Sequence, residues 1–296
     1  MRLIVIAGPT ASGKTALAVH IAQRHGGEIV NADSMQVYKY MNIGTAKPDI
    51  SERGGIPHHL MDIVDPHDSF SVSRYCELAH KCIKDISDRG KLPILVGGTG
   101  LYIDSVVNNI TFSDVPSDKE YCSLLEQQAK KHGNEYIYKM LQIIDPTAAE
   151  KIAVNDIKRI IRALEVYKTT GKTITEHKSA SRSVPSPYRA EYFALDTDRG
   201  ELYDKINRRV DIMFDKGLVA EVESLLKMGV SKECTAMQAI GYKETAAYIN
   251  GERTLDEAKE AIKQGSRNYA KRQLTWFRAN KNIKWLSENE RRELYE

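Results

Sequence analysis

Close to the N-terminus, Gly8-Pro9-Thr10-Ala11-Ser12-Gly13-Lys14-Thr15 fits the pattern G-x-x-x-x-G-K-[ST] at every fixed position. Its flanks constrain the fold further. Leu3-Ile4-Val5-Ile6 is an unbroken apolar run, as a strand buried on both faces requires, and Ala16 to Ala22 reads as an apolar helix. A strand, a glycine-bearing turn and a helix in that order open a parallel, doubly wound sheet. In such a turn the backbone of Gly8, Thr10, Ala11, Ser12 and Gly13 converges on phosphate oxygens, and the following helix adds its positive end. Lys14 supplies a point charge and Thr15 a hydroxyl for a magnesium ion. A phosphate or diphosphate ligand is therefore implied, without its owner.

The rest of the chain extends the pattern. Glu28 to Ala32 is a second strand candidate ending at Asp33, and Leu92 to Val96 a third ending at Gly97-Gly98-Thr99-Gly100. Between them, Ser73 to Arg89 reads as a helix. The expected class is α/β, a phosphate-loop-type parallel sheet flanked by helices. Ligands of such sheets lie beyond the carboxyl ends of the strands, so the loop, Asp33 and Thr99 should face one crevice. Two Ser/Pro-rich stretches, 113–118 and 179–187, bracket a segment that looks helical throughout. Asn155 would cap one of its helices, with Ile157, Ile160, Ile161 and Leu164 on the apolar face. This predicts a catalytic core of 1–112 and 190–296 and a helical insertion over 113–189. Tyr192 to Leu195 is a further strand candidate, followed by a helix over 200–216. The remainder is helical up to the short apolar piece Ile283 to Leu286.

Composition narrows the setting. The 296 residues carry a net charge of only +3, which permits a nucleic-acid partner without requiring one. The four cysteines form no C-x-x-C pair, as expected of reduced cytoplasmic thiols. No apolar run reaches membrane-spanning length, so no membrane partner is expected. Local basicity exceeds the average: Lys263 to Lys284 holds seven cations and no acid, interleaved with Tyr269, Trp276 and Phe277.

Several segments together carry a resemblance. They are the phosphate loop, Asp33-Ser34-Met35-Gln36-Val37-Tyr38, Asn42 to Pro48, Pro57-His58-His59-Leu60 and Gly97 to Tyr102, followed by Arg159 to Tyr167, Ile240-Gly241-Tyr242-Lys243-Glu244 and Lys271 to Phe277. In this order they resemble the tRNA dimethylallyltransferases over nearly the whole chain. The resemblance implies transfer of a dimethylallyl group from its diphosphate to N6 of the adenine 3′ of the anticodon. The nucleic-acid zinc finger of eukaryotic relatives has no counterpart, which suggests a bacterial type.

The chemistry assigns roles. Asp33 could accept the N–H of the weakly nucleophilic amine or hold a metal. Thr99 could bond the base or a phosphate, or simply turn the chain. Of Arg208 and Arg209, register with the family selects Arg209 for the leaving pyrophosphate. His58 and His59 suit a turn or packing role better than a metal site. Ser34, Met35 and Gln36 would read the extruded adenine beside Asp33, and a glutamine can pair bidentately with an adenine edge. Lys263, Arg267, Lys271 and Arg272 would meet RNA phosphates, while Trp276 and Phe277 belong to the core. Lys158, Arg159 and Arg162 would do the same from the insertion, clamping the anticodon stem-loop. Gln238 and Lys243 complete the expected tRNA contacts. Magnesium is the expected cofactor and a monomer the expected state. A phosphate-loop kinase using ATP, a transferase acting on AMP, and a nucleotide-gated RNA-binding protein remain as competing readings.

Overall fold

The computed structural model describes residues 1–110, 118–182, 184–287 and 290. Its strands are β1 (Arg2–Ala7), β2 (Gly27–Asn31), β3 (His58–His59), β4 (Leu92–Gly97), β5 (Arg189–Leu195) and β6 (Ile283–Leu286). They form one sheet in the order β3-β2-β4-β1-β5-β6, with every pair parallel. The early helices are α1 (Lys14–His25), α2 (Val72–Asp88) and α3 (Gly100–Val107). Ile4 and Ile6 of β1 join Leu17, Ala18 and Ile21 of α1 in one apolar cluster, and Leu3 and Val5 are also fully buried. The central strand thus has apolar cover on both faces, which explains its unbroken run of aliphatic residues.

The chain divides into two compact units, 1–107 with 187–296, and 108–186. The first also holds α9 (Arg199–Asp215), α10 (Leu218–Lys227), α11 (Tyr242–Ile249) and α12 (Leu255–Arg278). Val210, Leu218, Val222, Leu225, Tyr242 and Ile262 of these helices close over Val37, Tyr38 and Met41, the segment that follows β2. This second apolar cluster holds the post-β2 chain against the helices and leaves Asp33 beside them.

The second unit comprises α4 (Lys119–His132), α5 (Asn134–Ile144), α6 (Pro146–Ala149), α7 (Ile157–Thr170) and α8 (Ile174–Arg182) around its own core of Leu125, Ile137, Leu141, Ile160 and Leu164. Its bounds fall a few residues before the expected 113 and 189. Residues 113–117 and Ser183, which belong to the two Ser/Pro-rich stretches, lie outside the described residues. The second stretch is a linker only in part, because Ser179 to Arg182 continues α8; no proline interrupts it before Pro185. The cap of α7 is Asp156, one residue after the expected Asn155: its carboxylate accepts from Arg159 N, while Asn155 Oδ1 accepts from Asn134. A charged acceptor suits the positive end of the helix better than an amide does. The edge strand at His58–His59 has too few residues to show a period.

Candidate active site

The phosphate loop runs from β1 into α1. Gly8 (φ 140°) and Gly13 (φ 92°) take conformations that side chains with a Cβ rarely adopt, so the loop needs glycine for its backbone angles. Thr10, Lys14 and Thr15 line a crevice of about 580 Å³, measured out to solvent. The buried Ser12 hydroxyl has no hydrogen-bond partner among the described residues. Lys14 Nζ donates to Pro9 O at 2.6 Å. Burial lowers its pKa to about 8; Asp33 opposes that shift and Arg209 reinforces it. An ammonium in this state gains much from a polyanion.

Asp33 follows β2 and lines the same crevice. Buried Asn31 sets its backbone: Oδ1 accepts from Asp33 N at 3.2 Å, and Nδ2 donates to Leu60 O at 3.2 Å. Asp33 Oδ1 accepts from Met35 N at 2.9 Å and Gln36 N at 3.4 Å, so a short turn fixes the carboxylate. Thr99 sits alongside rather than among the lining residues. Its Oγ1 accepts from Ser34 N at 3.0 Å and donates to Ser34 Oγ at 3.3 Å, so as placed it orients the Asp33-Ser34 segment.

Of the two candidate arginines, Arg208 is exposed and Arg209 turns inward. Arg209 donates to Ala46 O at 3.3 Å and to Thr10 Oγ1 at 3.5 Å. Burial lowers its pKa, with Asp33 and then Glu52 pulling the other way.

A second, wider chamber of about 1310 Å³ adjoins the first. Both are lined by Thr10, Asp33, Thr45, Ala46 and Arg209. The second adds the apolar Ile206, Val210, Met213 and Ile240 and reaches Gln238, Lys243 and Arg272, all three exposed. Ser34 and Met35 line this chamber and Gln36 the first. Gln36 Nε2 is committed to Thr45 O at 3.1 Å and Ala46 O at 3.3 Å, so bidentate pairing with an adenine would have to displace these bonds.

Other expectations change. Lys263 pairs with Asp211 at 2.9 Å, and Arg267 donates to Asn207 Oδ1 at 2.6 Å, so both cations tie α12 to α9. Every fourth residue on a helix marks one face, and here that face begins against a neighbouring helix. Lys271 and Arg272 are exposed as expected. Phe277 is core, but Trp276 is 42% exposed, because its indole N–H reaches Asp104 Oδ2 (2.7 Å) at the surface. In the second unit, Lys158 and Arg159 are exposed, while Arg162 Nη1 is engaged by buried Glu165 at 2.7 Å. His58 Nδ1 bonds Ile56 O and His59 Nε2 bonds Glu28. Among the described residues no cluster of three or more His, Cys, Asp or Glu could hold a metal. A magnesium ion in this crevice would find the Thr15 hydroxyl and the Asp33 carboxylate among the oxygens that line it.

Sequence reading missed Gln273. This buried amide accepts from Thr10 N at 3.0 Å and donates to Gly98 O at 2.8 Å, joining α12 to the phosphate loop and to the β4 turn. A Cβ at Gly98 would collide with it, which is the one local sign of a close approach there.

A family model described as IPP transferase matches residues 36–280, and one described as isopentenyl transferase matches residues 1–65. The chain belongs to the IPP transferase family. The tRNA dimethylallyltransferase of Acetivibrio thermocellus is 54% identical over 288 residues, covering 97% of this chain and 92% of the relative. That of Carboxydothermus hydrogenoformans is 53% identical over 285 residues, with 96% and 91% covered. Among solved structures, the tRNA isopentenylpyrophosphate transferase of Bacillus halodurans is 43% identical with a TM-score of 0.74, covering 99% of this chain and 94% of that one. A eukaryotic dimethylallyltransferase acting on tRNA is 32% identical with a TM-score of 0.83, covering 97% and 74%. The transferase thus shares with these relatives nearly its whole length, both units included.

Proposed function

We infer that this transferase moves a dimethylallyl group from dimethylallyl diphosphate to N6 of the adenine 3′ of the anticodon in tRNA, releasing pyrophosphate. The observation that carries the reading is the pair of chambers that share Asp33 and Arg209, one ending at the phosphate loop and the other at exposed cations. The donor's diphosphate would occupy the first. The extruded adenine would enter by the second, past Gln238, Lys243 and Arg272.

As the N6–carbon bond forms, the carbon–oxygen bond to the diphosphate breaks, and its electron pair leaves with pyrophosphate. Lys14, Arg209 and the amides of the loop stabilise that developing charge. Asp33 accepts the N6 proton at a carboxylate that Asn31 and the Asp33–Gln36 turn hold in place. Thr99 keeps Ser34, and through it Asp33, in register. Magnesium fits Thr15 plus diphosphate oxygens, since it is a hard cation that keeps several waters; when bound it neutralises phosphate charge. The apolar wall of Ile206, Val210, Met213 and Ile240 limits water around an allylic centre that water would consume.

The stem-loop's phosphates would meet Lys271 and Arg272 on the first unit and Lys158, Arg159 and Arg162 on the second. A monomer is the expected working state. A tRNA acceptor and four free cysteines suit the cytoplasm. Among the described residues no helix is long and apolar enough to cross a membrane.

The test is incubation of unmodified tRNA with labelled dimethylallyl diphosphate and magnesium, followed by nuclease digestion. Label should appear on an N6-substituted adenosine next to the anticodon. Label on free AMP alone would move the acceptor to a nucleotide. Phosphoryl transfer from ATP without prenyl transfer would restore the kinase reading.

A further inference from the structure

Glu221 lies in the first turn of α10 and lines neither chamber, yet its carboxylate carries the segment that borders both. The backbone N–H groups of Asn42, Ile43 and Gly44 donate to it at 2.9, 2.8 and 3.1 Å, and the Tyr242 hydroxyl donates at 2.6 Å. Three successive amides closing on one anion form a backbone nest. Tyr242 also packs its ring on Gly44, so closely that a Cβ there would collide. Beyond the nest the chain turns tightly: Ala46 N donates to Ile43 O and Lys47 N to Asn42 O, each at 2.9 Å. Ala46 is left-handed (φ 49°), a conformation that a residue with a Cβ keeps only where its surroundings dictate it. The turn offers two carbonyls to the site: Thr45 O accepts from Gln36, and Ala46 O from Gln36 and Arg209.

We propose that Glu221 is a positioning residue that aims Arg209: its carboxylate fixes the 42–46 turn, and the Ala46 carbonyl in turn orients the guanidinium at the phosphate-loop crevice. This rests on the reading of Arg209 as a ligand of the leaving pyrophosphate. Among the described residues Arg209 donates to Ala46 O and to Thr10 Oγ1, and the bond to Ala46 O is the shorter. An arginine side chain is flexible, so a displaced acceptor lets it wander. A misplacement of about 1 Å can cost on the order of 100-fold in rate. An amide cannot replace the carboxylate, because its NH₂ would face N–H donors.

The test is a double-mutant cycle on the full chain. It reads inorganic pyrophosphate binding in magnesium by calorimetry and kcat and KM for tRNA by label transfer. Glu221→Gln should weaken pyrophosphate binding and lower kcat by roughly 10- to 100-fold, with the tRNA KM within about twofold of wild type. In an Arg209→Ala background the same substitution should cost less than about twofold, because the residue it acts through is gone. Tyr242→Phe removes one of the four donors and should show a smaller loss with the same dependence on Arg209. It also carries the cycle if Glu221→Gln does not fold. An undiminished effect in the Arg209→Ala background, or a loss confined to the tRNA KM, overturns the inference alone. Unchanged pyrophosphate affinity in Arg209→Ala by itself removes Arg209 from the pyrophosphate, and the inference with it.

Discussion

Lys14 and Asp33 show how single side chains are held ready for chemistry. Burial lowers the Lys14 pKa to about 8, against 10.5 for an ordinary lysine. Between those values the folded chain binds fewer protons than the unfolded one, so stability rises with pH across that window. Lys14→Met should lack this gain, a difference that melting temperatures between pH 7 and 10 would reveal. It should also weaken donor binding by roughly 10- to 100-fold, the worth of a charged hydrogen bond of about 1.5–3 kcal/mol. In the wild type, the donor KM should climb as pH passes 8, and in Lys14→Met that climb should be absent. A wild-type KM flat across pH 8 would show that the loop takes its anion without the lysine's charge. Asp33→Asn keeps an acceptor for the turn at Met35 N but cannot take a proton. Its kcat should fall by roughly 10²- to 10⁴-fold while tRNA affinity stays within a few-fold. Unchanged turnover would exclude Asp33 as the base.

At the scale of elements, the site depends on how β2 is anchored. Glu28 on β2 is buried and meets Arg89 twice (2.6 and 2.7 Å), Lys91 at 2.7 Å and His59 at 2.7 Å. The bonds from Arg89 hold its carboxyl far below the ordinary 4.5; burial opposes this, and Lys91 and His59 reinforce it. This one carboxylate ties β2 to the α2–β4 turn and to β3. A depressed folded pKa contributes stability in full above 4.5, and that contribution is lost as pH falls below it. Glu28→Gln should cost about 3 kcal/mol at neutral pH, the low end for a broken buried pair because its cations still reach water. The deficit relative to wild type should shrink on acidification below 4.5, which denaturant titrations at pH 7 and pH 4 would measure; a deficit unchanged between them would mean that the charge is immaterial. β1, β2, β4 and β5 were legible in the chain because each is a local apolar run ending in a turn signal. The partners of Glu28, of Glu221 and of Gln273 were not, because they join residues distant in sequence and leave no periodic trace. The partners of Lys263 and Arg267, Asp211 and Asn207, were hidden for a related reason: spacing shows that cations share a face, not what that face meets.

For the whole molecule, the division into two units was legible in outline from the helical stretch between Ser/Pro-rich segments. Its ends were not, since Ser179 to Arg182 propagates a helix as readily as it makes a linker. Every residue lining the two chambers belongs to the first unit, so donor chemistry should not require the second. The ends of the second unit also lie together, with Asn109 Nδ2 donating to Pro185 O at 3.3 Å. Replacing 108–186 by a flexible linker of roughly four residues should therefore leave a folded protein with pyrophosphate affinity within about threefold of wild type. What should fall is tRNA affinity, and with it the salt dependence of binding. Each RNA phosphate left without its protein cation takes about 0.7 to 0.9 off the slope of log K against log salt, so removal of Lys158, Arg159 and Arg162 should flatten it by roughly 2 to 3. An excised protein with unchanged tRNA affinity and slope would show that the second unit does not touch the RNA backbone. One that binds neither ligand would show instead that the sheet needs the insertion to fold.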